Sequence, residues 1–359
     1  MKTLTRGLVG LAFAAAASLP AAAQNLMISG PLGQVHFWVG GYMDGFADAY
    51  EAATDVTFTR FYAGELLGLS RGLDGLKSGT ADAVILDAPY HAGQFPLSDV
   101  TQLPVYGTDS PMITRAFQKL IDSDVELRDG ETFNDYELRS KGIRGWALGA
   151  TGAYAISTTG KALDNPAAFK GTPIRAGSAL MTMTLENLGV NPVTMPAAQA
   201  YEALSRNTIE GILLSVGDWK SYSLLDTLTF TMDGVSLGHW ESYWAISDAA
   251  WDRLSPEQQA EWDRIARETG AANAAFIENQ EIEVREAVAP KGAQFVMIQD
   301  MSPEMQAFIA EAALGTWRQW VEQTEAAGHP ARATARLWAE LVQAEGGELP
   351  PGVAEYLAQ

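Results

Sequence analysis

The chain contains no cysteine, which excludes disulfides, thiolate metal ligands and thiol nucleophiles. Histidine is nearly as scarce. His36, His91, His239 and His329 are the four; they are scattered, with no H-E-x-x-H pair, so no zinc signature is present. Positive charge is also short, 24 Lys and Arg against 44 Asp and Glu for a net charge of −20. Such a balance repels nucleic acid and anionic lipid. There is no Gly-rich loop ending in Gly-Lys-Ser/Thr and no G-x-G-x-x-G. Leu213-Leu-Ser-Val-Gly217 lacks the first glycine of a nucleophile elbow. No catalytic group therefore stands out, and binding is the function class that remains.

Long apolar runs are missing too, apart from the N-terminus. Lys2 and Arg6 precede an apolar stretch from Gly7 to about Leu19, then Pro20 and Ala21-Ala22-Ala23. A basic start, a short apolar core and an A-x-A site predict a secretory signal peptide over residues 1–23, cut after about Ala23, and hence export. The run is short for a membrane anchor, and no later segment is long and apolar enough to span a bilayer, so the mature chain is not expected to insert. Loss of Lys2 and Arg6 leaves 22 cations against 44 acids, about −22.

What is present is an alternation of short apolar runs and helical stretches. Leu26–Ser29, Val56–Tyr62 and Ala81–Leu86 read as strands, with helices over Val35–Ala52 and Ser70–Ser78 between them. The nearly unbroken apolar run Ala81–Leu86 suits a strand buried on both faces, and β-α-β-α-β order predicts a mostly parallel, helix-covered sheet. A second α/β set follows, with strands at Gly145–Leu148, Tyr154–Ser157, Thr172–Ala176, Pro192–Met195 and Ile209–Ser215, and helices at Ala179–Leu188 and Ala198–Arg206. Ser255-Pro256-Glu257 is a helix start, with no proline again until Pro290. A helix over 255–289 would be about 50 Å long, more than one lobe needs. It would bridge two lobes, although Gly270 argues against its being straight. Ser302-Pro303-Glu304 starts the C-terminal helices of 302–359.

One side chain then stands out. In "GTPIRAGSAL" (171–180), Arg175 sits where a short apolar strand gives way to small residues. A guanidinium stays charged and offers a rigid fork of donors, so it needs an acidic partner, internal or external.

Several segments taken in order carry a resemblance. They are "FYAGELLGLSRGLDGLKSGTADAVI", "APYHAGQFPLSDVTQLPV", "FKGTPIRAGSALMTMTLENLGVNPVTMPAAQAYEALSRNTIEG" and "WAISDAAWDRLSPEQQAEWDRIA". Together they resemble the periplasmic solute-binding proteins of TRAP (tripartite ATP-independent) transporters, of the dicarboxylate-binding-protein, DctP-like family. The match covers essentially the whole mature chain and is strongest over 169–211. The resemblance implies a two-lobed periplasmic-binding-protein α/β fold, each lobe a mixed sheet flanked by helices. It implies a small organic-acid ligand, TRAP membrane subunits as partners and no cofactor. Lobe I is expected over 24–148, completed by roughly 238–280, and lobe II over 149–237, completed by part of 281–359.

Arg175 matches the family's carboxylate-clamping arginine. Ser178 and Ala179 follow it at a helix start, where free N–H groups suit an anion. Asp87 and Tyr90 follow the buried strand, where the family places first-lobe contacts. Tyr154 lies near a position that holds a second arginine in some members, notably sialic-acid binders; that arginine is missing here. Glu210 and Gly211 keep the start of the family's frequent "DGQENP", but Ile212-Leu-Leu-Ser-Val216 is mostly apolar, which brings Leu213, Leu214 and Ser215 toward the cleft. Trp219 and Trp240 are further wall candidates, each with core packing as its alternative. Such a cleft favours an apolar or aromatic monocarboxylate, because a hydroxylated sugar acid would leave polar groups unpaired at about 1–3 kcal/mol each. A second carboxylate would need its own cation, for which Arg60, Arg71 and Lys220 are the candidates. The other readings are a dicarboxylate or sugar-acid binder, an exported enzyme on the same scaffold, and a sensor module.

Overall fold

A computed structural model describes residues 24–91 and 93–359; the signal-peptide expectation for 1–23 lies outside them. Two sheets organise the chain. In the first, Asn25–Ser29 pairs parallel with Thr57–Phe61 and with Ala83–Leu86. Tyr243–Ser247 then joins Ala83–Leu86 antiparallel and is flanked by Ile143–Ala147. All four residues of Ala83–Leu86 are buried, as their uninterrupted apolar character requires. The second sheet has the order 294–297, 230–233, 155–158, 211–214, 173–176, 191–194. Each sheet mixes parallel and antiparallel pairs, because each receives strands returning from the other. The fold is two-lobed α/β.

The chain crosses between the sheets from Ile143–Ala147 to Ala155–Thr158 and back from Phe230–Asp233 to Tyr243–Ser247. The two crossings pair with one another. The Tyr154 amide donates to the Gly238 carbonyl at 2.9 Å, the Leu237 amide to the Tyr154 carbonyl at 2.9 Å, and the Thr151 amide to the Trp240 carbonyl at 2.9 Å. A two-stranded strap thus joins the lobes and satisfies its own backbone, as buried connections must.

The third connection includes the helix Pro256–Val288, of 33 residues. Ser255 caps it, its hydroxyl accepting the Gln258 amide while Gln258 reaches back. Near its start, Trp262 stacks on Trp244 of the first sheet with ring centroids 5.9 Å apart, and the Tyr42 hydroxyl donates to the Ala266 carbonyl at 3.0 Å. Near its end, Glu281 accepts the Gly217 amide of the second lobe at 2.7 Å. The helix is continuous through Gly270, which serves contact rather than bending: a Cβ there would lie 2.6 Å from the Ala147 carbonyl oxygen.

The first helical stretch departs from the sequence reading. In place of one helix over Val35–Ala52, a wide π-type turn at Phe37–Met43 precedes an α-helix at Asp44–Ala53. His36 caps the turn by accepting the Trp38 amide, and this wide turn opens next to the cleft. At the C-terminus, helix Pro303–Ala326 packs on helix Ala179–Asn187 of lobe II, and Ala331–Ala344 turns back onto Ser110–Ile121 of lobe I. No helix of the described residues is long and apolar enough to cross a membrane.

Candidate functional site

Arg175 lies in the strand Pro173–Ala176, between Gly211–Leu214 and Asn191–Thr194. Its side chain is among the largest fully buried ones in the protein. Nε–H donates to the Met195 carbonyl at 2.9 Å and Nη1–H to the Leu213 carbonyl at 3.4 Å. Both acceptors are neutral, and no carboxylate of the described residues forms an ion pair with it. Gly177 makes room for the guanidinium, since a Cβ there would stand 2.6 Å from Nη2 and 2.9 Å from the Trp240 ring. The small residues after the strand in "RAGSAL" therefore seat the arginine. A buried cation without a direct ion pair is costly, by several kcal/mol; a bound carboxylate would lower that cost through paired charge-assisted bonds.

The guanidinium faces a cavity between the lobes. Lobe I supplies Leu32, His36, Trp38, Leu69, Asp87 and Tyr90, and the crossover strap supplies Thr151, Tyr154 and Trp240. Lobe II supplies Arg175, Pro196, Ala197, Ala198, Leu214, Asp218 and Tyr222. The walls are mainly aromatic and aliphatic, with a few polar groups, as in a small-molecule site. Arg175 is the one Lys or Arg among the described lining residues. Arg60 is occupied elsewhere, 2.7 Å from both Asp48 and Glu51. Arg71 pairs with Asp74 at 3.5 Å on the surface, and Lys220 is exposed.

Two buried acids share the cavity. Asp87 Oδ1 accepts from Trp240 Nε1–H at 2.7 Å and from the Ser242 hydroxyl at 3.0 Å. Burial pushes its carboxyl up to about 6 against those bonds. Asp218 Oδ2 accepts the Ser215 hydroxyl at 2.6 Å, whereas its Oδ1 is buried without a partner. Burial raises Asp218 likewise to about 6, opposed by the Ser215 bond and the charge of Arg175. His36 Nε2 lies 3.7 Å from Asp218 Oδ1, and burial pushes its imidazole down to about 3, so it is neutral near pH 7.

Of the residues expected at the cleft, Arg175, Asp87, Tyr90, Tyr154, Leu214 and Trp240 come together on this cavity. Five do not line it. Ser178 caps helix Ala179–Asn187 by accepting the Met181 amide and donates to Gln102, so with Ala179 it borders a neighbouring cleft beside Pro89 and Phe95. Ser215 is spent on Asp218. Trp219 is fully buried and stacks on Phe295 with centroids 6.1 Å apart, which is core packing. Leu213, the strand neighbour of Leu214, offers its carbonyl to Arg175 while its side chain sits in the core; strand alternation permits one of the pair to face the cavity. Sequence reasoning missed His36, Trp38, Asp218 and Tyr222. For Asp218 a signal existed, a lone acid just after an apolar strand; for a solitary histidine before a wide turn there was none.

Residues 36–324 match DctP, bacterial extracellular solute-binding protein, family 7. The chain belongs to this family. The resemblance to DctP-like TRAP solute-binding proteins drawn from the sequence is thereby borne out. A curated relative is the 2,3-diketo-L-gulonate-binding periplasmic protein YiaO of Escherichia coli, 22% identical over 62% of this chain and 66% of its own length. The chain spans 48%, 58% and 66% of the lengths of three curated relatives it matches. Among solved structures, a marine metagenome TRAP solute-binding protein specific for aromatic acid ligands, in complex with metahydroxyphenylacetate, superposes with a TM-score of 0.79 at 18% identity, over 90% of this chain and 99% of that one. A TRAP solute-binding protein from Rhodoferax ferrireducens with copurified benzoate gives 0.76 at 22% identity, over 89% and 98%. These TRAP solute-binding structures share the two-lobed fold of this chain.

Proposed function

We propose that the protein is the extracytoplasmic, periplasmic solute-binding component of a TRAP transporter, that it captures a small monocarboxylate with an apolar or aromatic body, and that it hands this to membrane subunits without chemical change. The observation that carries the reading is Arg175: a buried guanidinium, aimed into an interlobe cavity, with two neutral carbonyls and, among the described residues, no acid as its bonded partners. A ligand carboxylate supplies the missing charge, and the Tyr90, Tyr154 and Trp240 rings pack against an apolar body. Structural relatives with aromatic-acid and benzoate ligands agree with this choice. A Haemophilus influenzae TRAP solute-binding protein with bound L-gulonate has the same fold, so the fold alone does not select the ligand; the mainly apolar and aromatic walls of this cavity support the monocarboxylate choice. Asp87 and Asp218, with no cation besides Arg175 among the described lining residues, disfavour a second carboxylate.

On this reading the lobes, about 24–148 with 238–280 and 149–237 with part of 281–359, close on the ligand about the strap and the bridging helix. A thermal-shift screen over a carboxylate library tests the proposal, since a ligand that binds the folded state alone raises its melting temperature. Hits are expected among aromatic and branched aliphatic monocarboxylates. Larger shifts from dicarboxylates or sugar acids would overturn the ligand class.

A further inference from the structure

The cavity holds a second recognition element, opposite in kind to the arginine. Asp218 is 2% exposed. One carboxylate oxygen is bound to Ser215, and the other, Oδ1, has no hydrogen-bond partner. Leaving a buried acceptor unsatisfied is unfavourable unless something fills it. Facing it is His36. The Trp38 amide donates to His36 Nδ1 at 3.2 Å, so the neutral ring carries its proton on Nε2, the nitrogen turned toward Asp218. Nε2 and Oδ1 are 3.7 Å apart, too far for a direct hydrogen bond. The wall thus presents one donor and one acceptor side by side, neither satisfied by the other.

We infer that His36 and Asp218 form a hydroxyl-reading subsite, and that the ligand is a hydroxylated monocarboxylate whose OH accepts from His36 Nε2–H and donates to Asp218 Oδ1. This rests on the carboxylate reading of Arg175. A hydroxyl does both jobs at once. An ammonium only donates and leaves His36 unpaired; a carbonyl only accepts and leaves Asp218 unpaired. A water satisfies both groups in the same way, so the ligand hydroxyl replaces it without loss of bonds. An apolar hydrogen at that position displaces the water and restores nothing. The charges of both Asp218 and Arg175 act on the Tyr154 hydroxyl, so the anion hook and the hydroxyl pair border the same space. The subsite adds a specificity rule to an otherwise apolar cavity. Discrimination of this type, where a site built for a hydroxyl meets a ligand lacking it, exceeds what an extra methylene provides.

Calorimetric titration of the intact protein decides the matter, using phenylacetate, its 3- and 4-hydroxy derivatives, mandelate and phenylglycine, against wild type, R175A, D218N and H36F. At least one hydroxylated acid is expected to bind about tenfold or more tighter than phenylacetate, the worth of one good hydrogen bond to a charged group. D218N should shrink that advantage to near unity, and H36F should reduce it. Melting curves report folding of each variant; D218N is nearly isosteric and carries the test should H36F fail to fold. A hydroxyl advantage absent from wild type, while R175A abolishes phenylacetate binding, overturns the subsite and leaves the carboxylate reading standing. An advantage that survives D218N overturns it as well, as does phenylglycine binding more tightly than mandelate. Failure of every acid to bind, or full binding by R175A, sinks both readings.

Discussion

Trp240 Nε1–H donates to Asp87 Oδ1 at 2.7 Å, tying the strap between the lobes to the end of a buried lobe I strand. The Ser242 hydroxyl binds the same oxygen, so the carboxylate is held against the wall that it shares with the ligand. Its charge works against a bound carboxylate. Asp87→Asn keeps an acceptor for Trp240 and removes that charge. Monocarboxylate affinity is expected to rise about two- to tenfold, read by calorimetry at pH 8, where the native acid is ionised. Weaker binding would show that Asp87 contributes attraction, through a ligand donor.

Arg175→Ala should cost roughly 3 kcal/mol or more in affinity, the usual loss when one partner of a buried charge pair is removed. Arg175→Lys keeps the charge but loses the fork, and it also loses the bonds to the Met195 and Leu213 carbonyls. Most of the loss is therefore expected in that variant too. Both should retain native circular dichroism. Wild-type affinity in Arg175→Ala would refute the carboxylate clamp.

Stability should depend on pH in an unusual direction. Burial raises Asp87 and Asp218 to about 6, Asp99 and Glu137 to about 7, and Glu241 and Glu281 to about 8. Between about pH 4 and 8 the folded chain holds protons that the unfolded chain has released, so stability falls as pH rises. Buried His36 and His239, held down to about 3 and 4, act oppositely, but only below about pH 6.5. Facing Asp218 are Ser215, His36 and the Arg175 and Glu281 charges, and none reverses the sign. The ligand-free melting temperature should be higher at pH 6 than at pH 8.5. A flat profile, or one rising to pH 8.5, would count against these buried acids.

The proposed hinge can be stressed at one atom. A Cβ at Gly152 would lie 2.3 Å from Glu281 Oε1 and 2.5 Å from its Cδ, in the carboxylate that accepts the Gly217 amide. Gly152→Ala must displace that side chain and break the contact between strap, bridging helix and lobe II. It should cost about 1–3 kcal/mol of stability and weaken ligand-induced closure. Small-angle scattering with and without ligand reads the second effect. An unchanged melting temperature together with unchanged compaction would show that the contact is incidental.

Local pattern was enough for the strands, the capped bridging helix and the place of Arg175. Apolar runs, Ser-Pro starts and a charged residue at a strand end are properties of neighbouring residues, and hydrogen bonding acts on them at short range. The wide turn at Phe37–Met43 was not legible, because its reason is tertiary: a Cβ on Gly41 would meet Asn273 Oδ1 at 2.5 Å, on the bridging helix. The same holds for which side chains face the ligand. Leu213 and Leu214, or Trp219 and Trp240, are alike in type, and only the pairing of strands and the meeting of lobes turned Leu214 and Trp240 inward. His36 and Asp218 are 182 positions apart in the chain, and each alone reads as ordinary. Periodicity thus determined the α/β alternation, and the family resemblance singled out Arg175; that no other lysine or arginine lines the described cavity was decided by the tertiary structure. The closing of two lobes decided what stands opposite that cation, since a site made from separate segments has no signature in any one of them.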